Sequence, residues 1–192
     1  MDRKVWLRNG LVVDGTGSAE FVGDVWLQGD RIVGVFGKDA PADAALAEAV
    51  AAWQQQDPQT IDCSGKVIAP GFIDVHTHDD AAALNNPGML PKLSQGVTTV
   101  IAGNCGISLA PVVTDAPMAP LSLLGDRQFR FSTMKDYAAA VDAVQPAINI
   151  AALLGHTALR IKHMADLNRP ANEAERAAMV ADMREAMEAG AL

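Results

Sequence analysis

Two of the four histidines in this 192-residue sequence stand two apart in Gly71-Phe72-Ile73-Asp74-Val75-His76-Thr77-His78-Asp79-Asp80, directly after an apolar run. On an extended segment, side chains at i and i+2 point the same way, so both imidazoles can reach one point past a strand end. Imidazole is a good ligand for zinc and its neighbours. Taken alone, the motif reads equally well as a pair of surface or capping histidines. Asp74 falls on the same side as His76 and could orient a ring through a carboxylate contact, or simply be a solvated strand-end acid.

Cys105 lies in Ala102-Gly103-Asn104-Cys105-Gly106. Glycines on both sides allow a sharp turn and a close backbone approach to a bound group. A thiol beside a metal ionises and becomes a strong soft ligand; a buried, inert cysteine is the alternative, and Cys63, with no histidine near it in sequence, takes that reading. His156 follows Gly155 in Leu153-Leu154-Gly155-His156-Thr157. It reads as a ligand, a donor to substrate or a packing group. His163 reads as exposed in a polar linker.

The elements that must position these groups follow from patterning. Residues 3–37 are rich in Val, Ile and Trp, with turn pairs at Asn9-Gly10, Asp14-Gly15 and Gly29-Asp30. They predict a small antiparallel sheet of hairpins. The Ala-rich stretch 39–59 predicts a helix from about Ala42 to Gln55, closed off by Pro58, as a surface insertion. From Thr60 onward the pattern changes. Val67–His76 predicts a buried strand, 85–96 a short helix ending at Gly96, Val97–Gly103 a second strand, and Ala147–Gly155 a third. Between and after them, 132–144 predicts a helix capped by Thr133, with Tyr137, Val141 and Val144 on its inner face. Residues 172–190 predict another, with an Asn172/Glu175 capping box and Val180, Met183 and Met187 as the apolar stripe. Continuous apolar strands alternating with helices indicate a parallel sheet covered by helices. Such sheets build sites at the carboxyl ends of their strands, where His76 and His78, Asn104 and Cys105, and His156 all fall.

Composition bounds the rest. Apolar residues make up 49%, enough for a sizeable core, and 15 basic against 23 acidic residues give a formal charge of −8. No Lys/Arg run suggests a nucleic-acid surface, no apolar run has spanning length, and the first residues lack a signal-peptide pattern. Two cysteines make no disulfide framework, so a reducing, cytoplasmic setting is expected.

The linked segments VIAPGFIDVHTHDD, LSQGVTTVIAGNCGISLAP and LLGHTALR resemble the N-acyl-D-amino-acid deacylases (D-aminoacylases) of the amidohydrolase superfamily, over nearly the whole chain. The His-x-His motif fits the superfamily broadly, and the cysteine loop narrows it to this branch. The resemblance implies an α/β fold: the first part of a (β/α)8 barrel, about three βα units in residues 67–192, after a small antiparallel β domain in residues 1–66. It further implies one or two zinc ions. His76 and His78 would serve a second, weaker metal position and Cys105 the tightly held zinc; Asp74, Asn104 and His156 are read, from their places at the strand ends, as supporting or substrate-contacting groups. The substrate would be an N-acyl-D-amino acid, hydrolysed at its amide.

The insert at 39–59 departs from that pattern. A full barrel takes roughly 250 residues, so the later zinc histidines and the acid–base aspartate implied by the resemblance are expected beyond residue 192, with no catalytic residue inside the chain. The expectation is the N-terminal part of a longer enzyme, inactive alone, whose open strand edges favour self-association. Two other readings are a cyclic-amide hydrolase, which the cysteine loop disfavours because that branch carries a lysine ligand, and a non-catalytic binding module.

Overall fold

The structure is a computed structural model that describes residues 3–38, 44–125 and 128–192. The chain forms two compact units, residues 1–70 and 71–192, against the expected 1–66 and 67–192. The difference arises at Pro70-Gly71, where the run read as one buried strand breaks. Val67–Ile68 pairs with the first sheet, and Phe72–Asp74 starts the second. Proline has no N–H to give a ladder, so the segment changes sheets there.

In the first unit, β1 (Lys4–Val12), β2 (Phe21–Gln28) and β3 (Arg31–Gly37) form the expected antiparallel ladder. Gly29, at φ 58°, opens the two-residue turn from β2 to β3. The Asn9-Gly10 pair, read as a turn, instead lies inside β1. Asn9 has φ 59°, and the register with β2 shifts between Leu7 and Gly10, which is a bulge. Asp24 holds it, accepting from the Asn9 N–H and the Trp6 indole N–H, both at 2.9 Å. β4 (Gln59–Asp62), not foreseen, and β5 (Val67–Ile68), the first part of the predicted 67–76 strand, add to β1 in parallel, so the complete sheet is mixed.

The predicted helix is α1 (Ala44–Gln54); Ala42 and Asp43 lie outside the described residues. It is more than a surface insertion. Trp53 is buried and stacks on Trp26 with ring centroids 5.1 Å apart at 3°, while Trp6 meets Trp26 edge-on at 6.0 Å. A parallel β4 requires a crossover from β3, and α1 makes it while completing the core.

The second unit holds a parallel sheet in the order β6 (Phe72–Asp74), β7 (Val97–Ala102), β8 (Asn149–Ala152). Phe72, Ile73 and Val75 are exposed, contrary to the buried strand expected, because β6 has a strand neighbour on one side alone among the described residues. Of the two helices between β6 and β7, α3 (Leu90–Leu93) was foreseen and α2 (Asp80–Asn85) was not. Gly96 (φ 79°) follows α3 as expected.

Helix α4 (Met134–Val144) is capped by Thr133, whose hydroxyl accepts from the Asp136 N–H at 3.1 Å. Tyr137 and Val141 are buried, but Val144 is 38% exposed and off the inner face. After α5 (His156–His163) comes α6 (Glu173–Glu188), which carries the expected capping box. Its inner face is not the expected stripe. Val180, Met183 and Met187 are 52, 46 and 63% exposed, whereas Met179 and Ala186 are buried. The main core comes from an element the sequence pattern did not mark. Ile107, Leu109, Ala110 and Val112 lead the connection after β7, and with Leu121 and Phe129 they pack on Tyr137 and Val141. No helix among the described residues is long and apolar enough to cross a membrane.

Two measurements check this architecture. Trp53→Ala is expected to lower the stability of the first unit by about 3 kcal/mol, the cost typical of truncating a buried Trp, read by urea unfolding followed by circular dichroism. In the second unit, Arg169 and the Asn172 N–H hold Glu175 down to about 2 from 4.5. A depressed carboxyl contributes stability above its unfolded pKa, and that contribution is lost as pH falls through the folded one. The stability gap between wild type and Glu175→Gln is therefore expected to close between pH 4.5 and about 2.

Candidate metal centre

Beyond Asp74 the chain leaves the sheet but stays pinned to it. Thr77 is buried, and both its N–H (3.2 Å) and its hydroxyl (3.0 Å) donate to the Ile101 carbonyl on β7. With Thr77 turned inward, His76 and His78 project to the other side, ring centroids 6.1 Å apart.

The cysteine arrives from the end of β7. Gly103 (φ 82°), Cys105 (φ 55°, ψ 22°) and Gly106 (φ 74°) all have left-handed backbone in the 3-10 turn Asn104–Gly106. Glycine adopts this freely, but for cysteine it costs about 1–2 kcal/mol, a strain that persists where surrounding structure holds it. A Cβ on Gly103 would lie 2.1 Å from the Leu153 carbonyl oxygen. Ser108 adds a tie to the start of α5 by accepting from the Gly155 N–H at 2.9 Å.

The result is a close set of donors. His76 Nε2 is 3.1 Å from Cys105 Sγ, and the ligand atoms of His76, His78 and Cys105 all lie within 4.8 Å of one another. Among the described residues these three form the one group of at least three His, Cys, Asp or Glu side chains near enough to share an ion. Zinc takes imidazole nitrogen near 2.0–2.1 Å and thiolate near 2.3 Å, so donors within 4.8 Å of one another are near enough to share one ion. Two imidazoles and a thiolate suit zinc, and all three groups are exposed, so the residues fit the ion.

The other expected groups have different surroundings. The Asp74 carboxylate accepts from the Lys92 ammonium at 2.7 Å, a contact that holds its pKa below the usual carboxylate range, and from the His76 N–H at 3.5 Å. The Asn104 amide donates to the carbonyls of Ile101 (2.8 Å) and Val75 (3.3 Å), tying the cysteine turn to the histidine segment. His156 begins α5 and lines a cavity of about 330 Å³ with Cys105, Asn104, Leu154, Met183 and Met187, outside the three-donor set. His163 is not in a linker; it closes α5 and sits 2.6 Å from Asp182 on α6.

Sequence reasoning missed Lys92 and Asp80. Asp80 is buried, and its carboxylate accepts from the Gly103 N–H at 3.2 Å. Burial pushes its pKa up, against backbone hydrogen bonds that pull it down. Tyr137 donates to the Asp80 carbonyl at 3.0 Å, and burial raises its own pKa. The second acid of Asp79-Asp80 was a visible signal, since it stands two residues after His78.

Residues 59–192 match the sequence profile of the amidohydrolase family. The chain is similar to an N-acyl-D-aspartate deacylase from Alcaligenes xylosoxydans xylosoxydans, at 46% identity over 94% of this chain and 34% of that protein. The crystal structure of a D-aminoacylase superposes with a TM-score of 0.84 at 44% identity, over 97% of this chain and 37% of the other. That of an N-acyl-D-glutamate deacylase from Bordetella bronchiseptica, complexed with zinc and a phosphonate inhibitor, gives 0.83 at 37%, over 100% and 37%. The chain thus spans about a third of the length of these relatives.

The glycine turn gives a test. Gly103→Ala is expected to cost at least about 2 kcal/mol, combining left-handed strain with a backbone collision. Gly190→Ala, also at positive φ but with nothing within 4 Å of the added carbon, should show the strain alone. Urea unfolding of both variants makes the comparison.

Proposed function

The chain belongs to the amidohydrolase family, and on that premise we propose that it supplies the first metal ligands, His76, His78 and Cys105, of a zinc-dependent N-acyl-D-amino-acid deacylase. The reaction is hydrolysis of the acyl amide, giving a D-amino acid and a carboxylate. The observation that carries this reading is the convergence of two imidazoles and a thiol, from the ends of adjacent parallel strands, within 4.8 Å. The names of the relatives support the substrate class, and the zinc in the N-acyl-D-glutamate deacylase supports the metal.

Zinc bound there would supply Lewis acidity for the acyl carbonyl and for an attacking water. The residues of this chain prepare for it. Cys105 must lose its thiol proton to become a ligand. His76 presents Nε2 to the sulfur; ligation through that nitrogen leaves the ring proton on Nδ1. Thr77 and Asn104 keep the two donor segments at fixed separation through backbone carbonyls. The apolar wall of Leu154, Met183 and Met187 beside Cys105 offers a surface for the acyl or side-chain portion of a substrate.

The test is zinc retention after dialysis, measured by atomic spectroscopy on wild type and Cys105→Ala in a chain extended to the length of its relatives, followed there by hydrolysis of N-acetyl-D-methionine against its L-enantiomer. Wild type is expected to hold zinc, and the variant to bind it more than about 100-fold more weakly, since removing even an outer partner of a ligand costs 10–100-fold. Equal retention removes Cys105 from the ligand set. A zinc-loaded protein hydrolysing both enantiomers alike overturns the D-amino-acid assignment.

A further inference from the structure

We propose that Lys92 is a positioning residue for the metal centre: its ammonium pins the two carboxylates that bracket the histidine segment, Asp74 before it and Asp79 after it. The proposal rests on the metal reading above and extends it to a residue that does not touch the ion. Lys92 lies on the short helix α3, and Nζ is 2.7 Å from Asp74 Oδ2 and 3.1 Å from Asp79 Oδ2. Asp74 is the last residue of β6, and Asp79 follows His78 directly. The pair therefore spans Val75 to His78 like a staple, with Thr77 fastened to the Ile101 carbonyl at its centre.

Three features separate this arrangement from an ordinary surface ion pair, which contributes little. The ammonium is shared by two acids, so losing Lys92 leaves two carboxylates with no cation between them. The groups are partly withdrawn from water, with 26% of the Lys92 side chain exposed, 36% of Asp74 and 20% of Asp79. Asp79 Oδ2 is buried, and the Lys92 ammonium at 3.1 Å is the contact that balances it. Asp74 also accepts from the His76 N–H at 3.5 Å, which carries the clamp directly into the backbone of a ligand residue.

Without the clamp the segment keeps its central anchor at Thr77 and loses both ends, so the imidazoles sample more orientations and fewer of them face Cys105. Partners that orient metal ligands without touching the ion typically change affinity by 10–100-fold. The effect belongs to metal binding and local order, with little change in global folding.

The experiment compares wild type, Lys92→Met and Lys92→Arg in two readouts. The first uses metal-free protein: amide hydrogen exchange of peptides covering residues 74–80. Lys92→Met is expected to exchange about tenfold faster there and unchanged in α4 and α6, and Lys92→Arg, which keeps the charge, to stay near wild type. Unchanged exchange at 74–80 overturns the clamp, and so does a rise spread evenly over residues 71–192, which would mark general destabilisation. The second readout is Co2+ titration, following the thiolate absorption of Cys105. Lys92→Met is expected to weaken binding by 10–100-fold and Lys92→Arg by no more than about threefold. Faster exchange with wild-type Co2+ affinity refutes the positioning role. Wild-type protein that binds no Co2+ refutes the metal reading itself, while the metal-free exchange still decides the clamp.

Discussion

The second unit is organised around a backbone constraint: three left-handed residues, Gly103, Cys105 and Gly106, in a turn with no room on its β8 side. The Leu153 carbonyl occupies the space a side chain at Gly103 would need. Asp80 accepts the Gly103 N–H from one direction, and Asn104 donates to the carbonyls of β7 and the histidine segment from another. Immediately downstream, Ile107, Leu109, Ala110 and Val112 sink into the core. Cys105 is thus strained, exposed and immobilised at once. Strain at a reactive residue persists where its surroundings over-determine the conformation, and the surrounding hydrogen bonds do so here.

The same logic explains why a short connection after β6 suffices for two donors. Thr77 spends both its N–H and its hydroxyl on one carbonyl. That fixes the inward residue of the segment, and chain geometry sends its two neighbours the other way. Donors from adjacent strands then meet without any long side-chain reach. Parallel strand ends are natural sites because each contributes a loop to the same edge, and the sheet order β6-β7-β8 puts the histidine and cysteine loops side by side.

Much of this was legible in the sequence because the signals are local. Thr133 with Asp136 and Asn172 with Glu175 mark helix starts within four residues, and the apolar strands before Cys105 and His156 announce a parallel sheet. What failed depended on partners far along the chain. On α6, Val180, Met183 and Met187 satisfy the helical period as well as the true inner residues do. Ala186 is fully buried despite its small side chain, because the space available to it is set by residues around position 134 rather than by α6 itself. Asn9-Gly10 announces positive φ correctly, but positive φ serves a bulge as well as a turn. Lys92 sits 18 residues from Asp74, and nothing in its surroundings on the chain marks it as a partner.

The division of aromatic residues has a spectroscopic consequence. All three tryptophans, Trp6, Trp26 and Trp53, lie in residues 1–70, and the single tyrosine, Tyr137, lies in residues 71–192 with its hydroxyl on the Asp80 carbonyl. Indole emission excited selectively at the red edge therefore arises from residues 1–70 alone. The phenol of Tyr137 absorbs beneath the stronger indole bands, so following the unit of residues 71–192 by fluorescence calls for an introduced tryptophan.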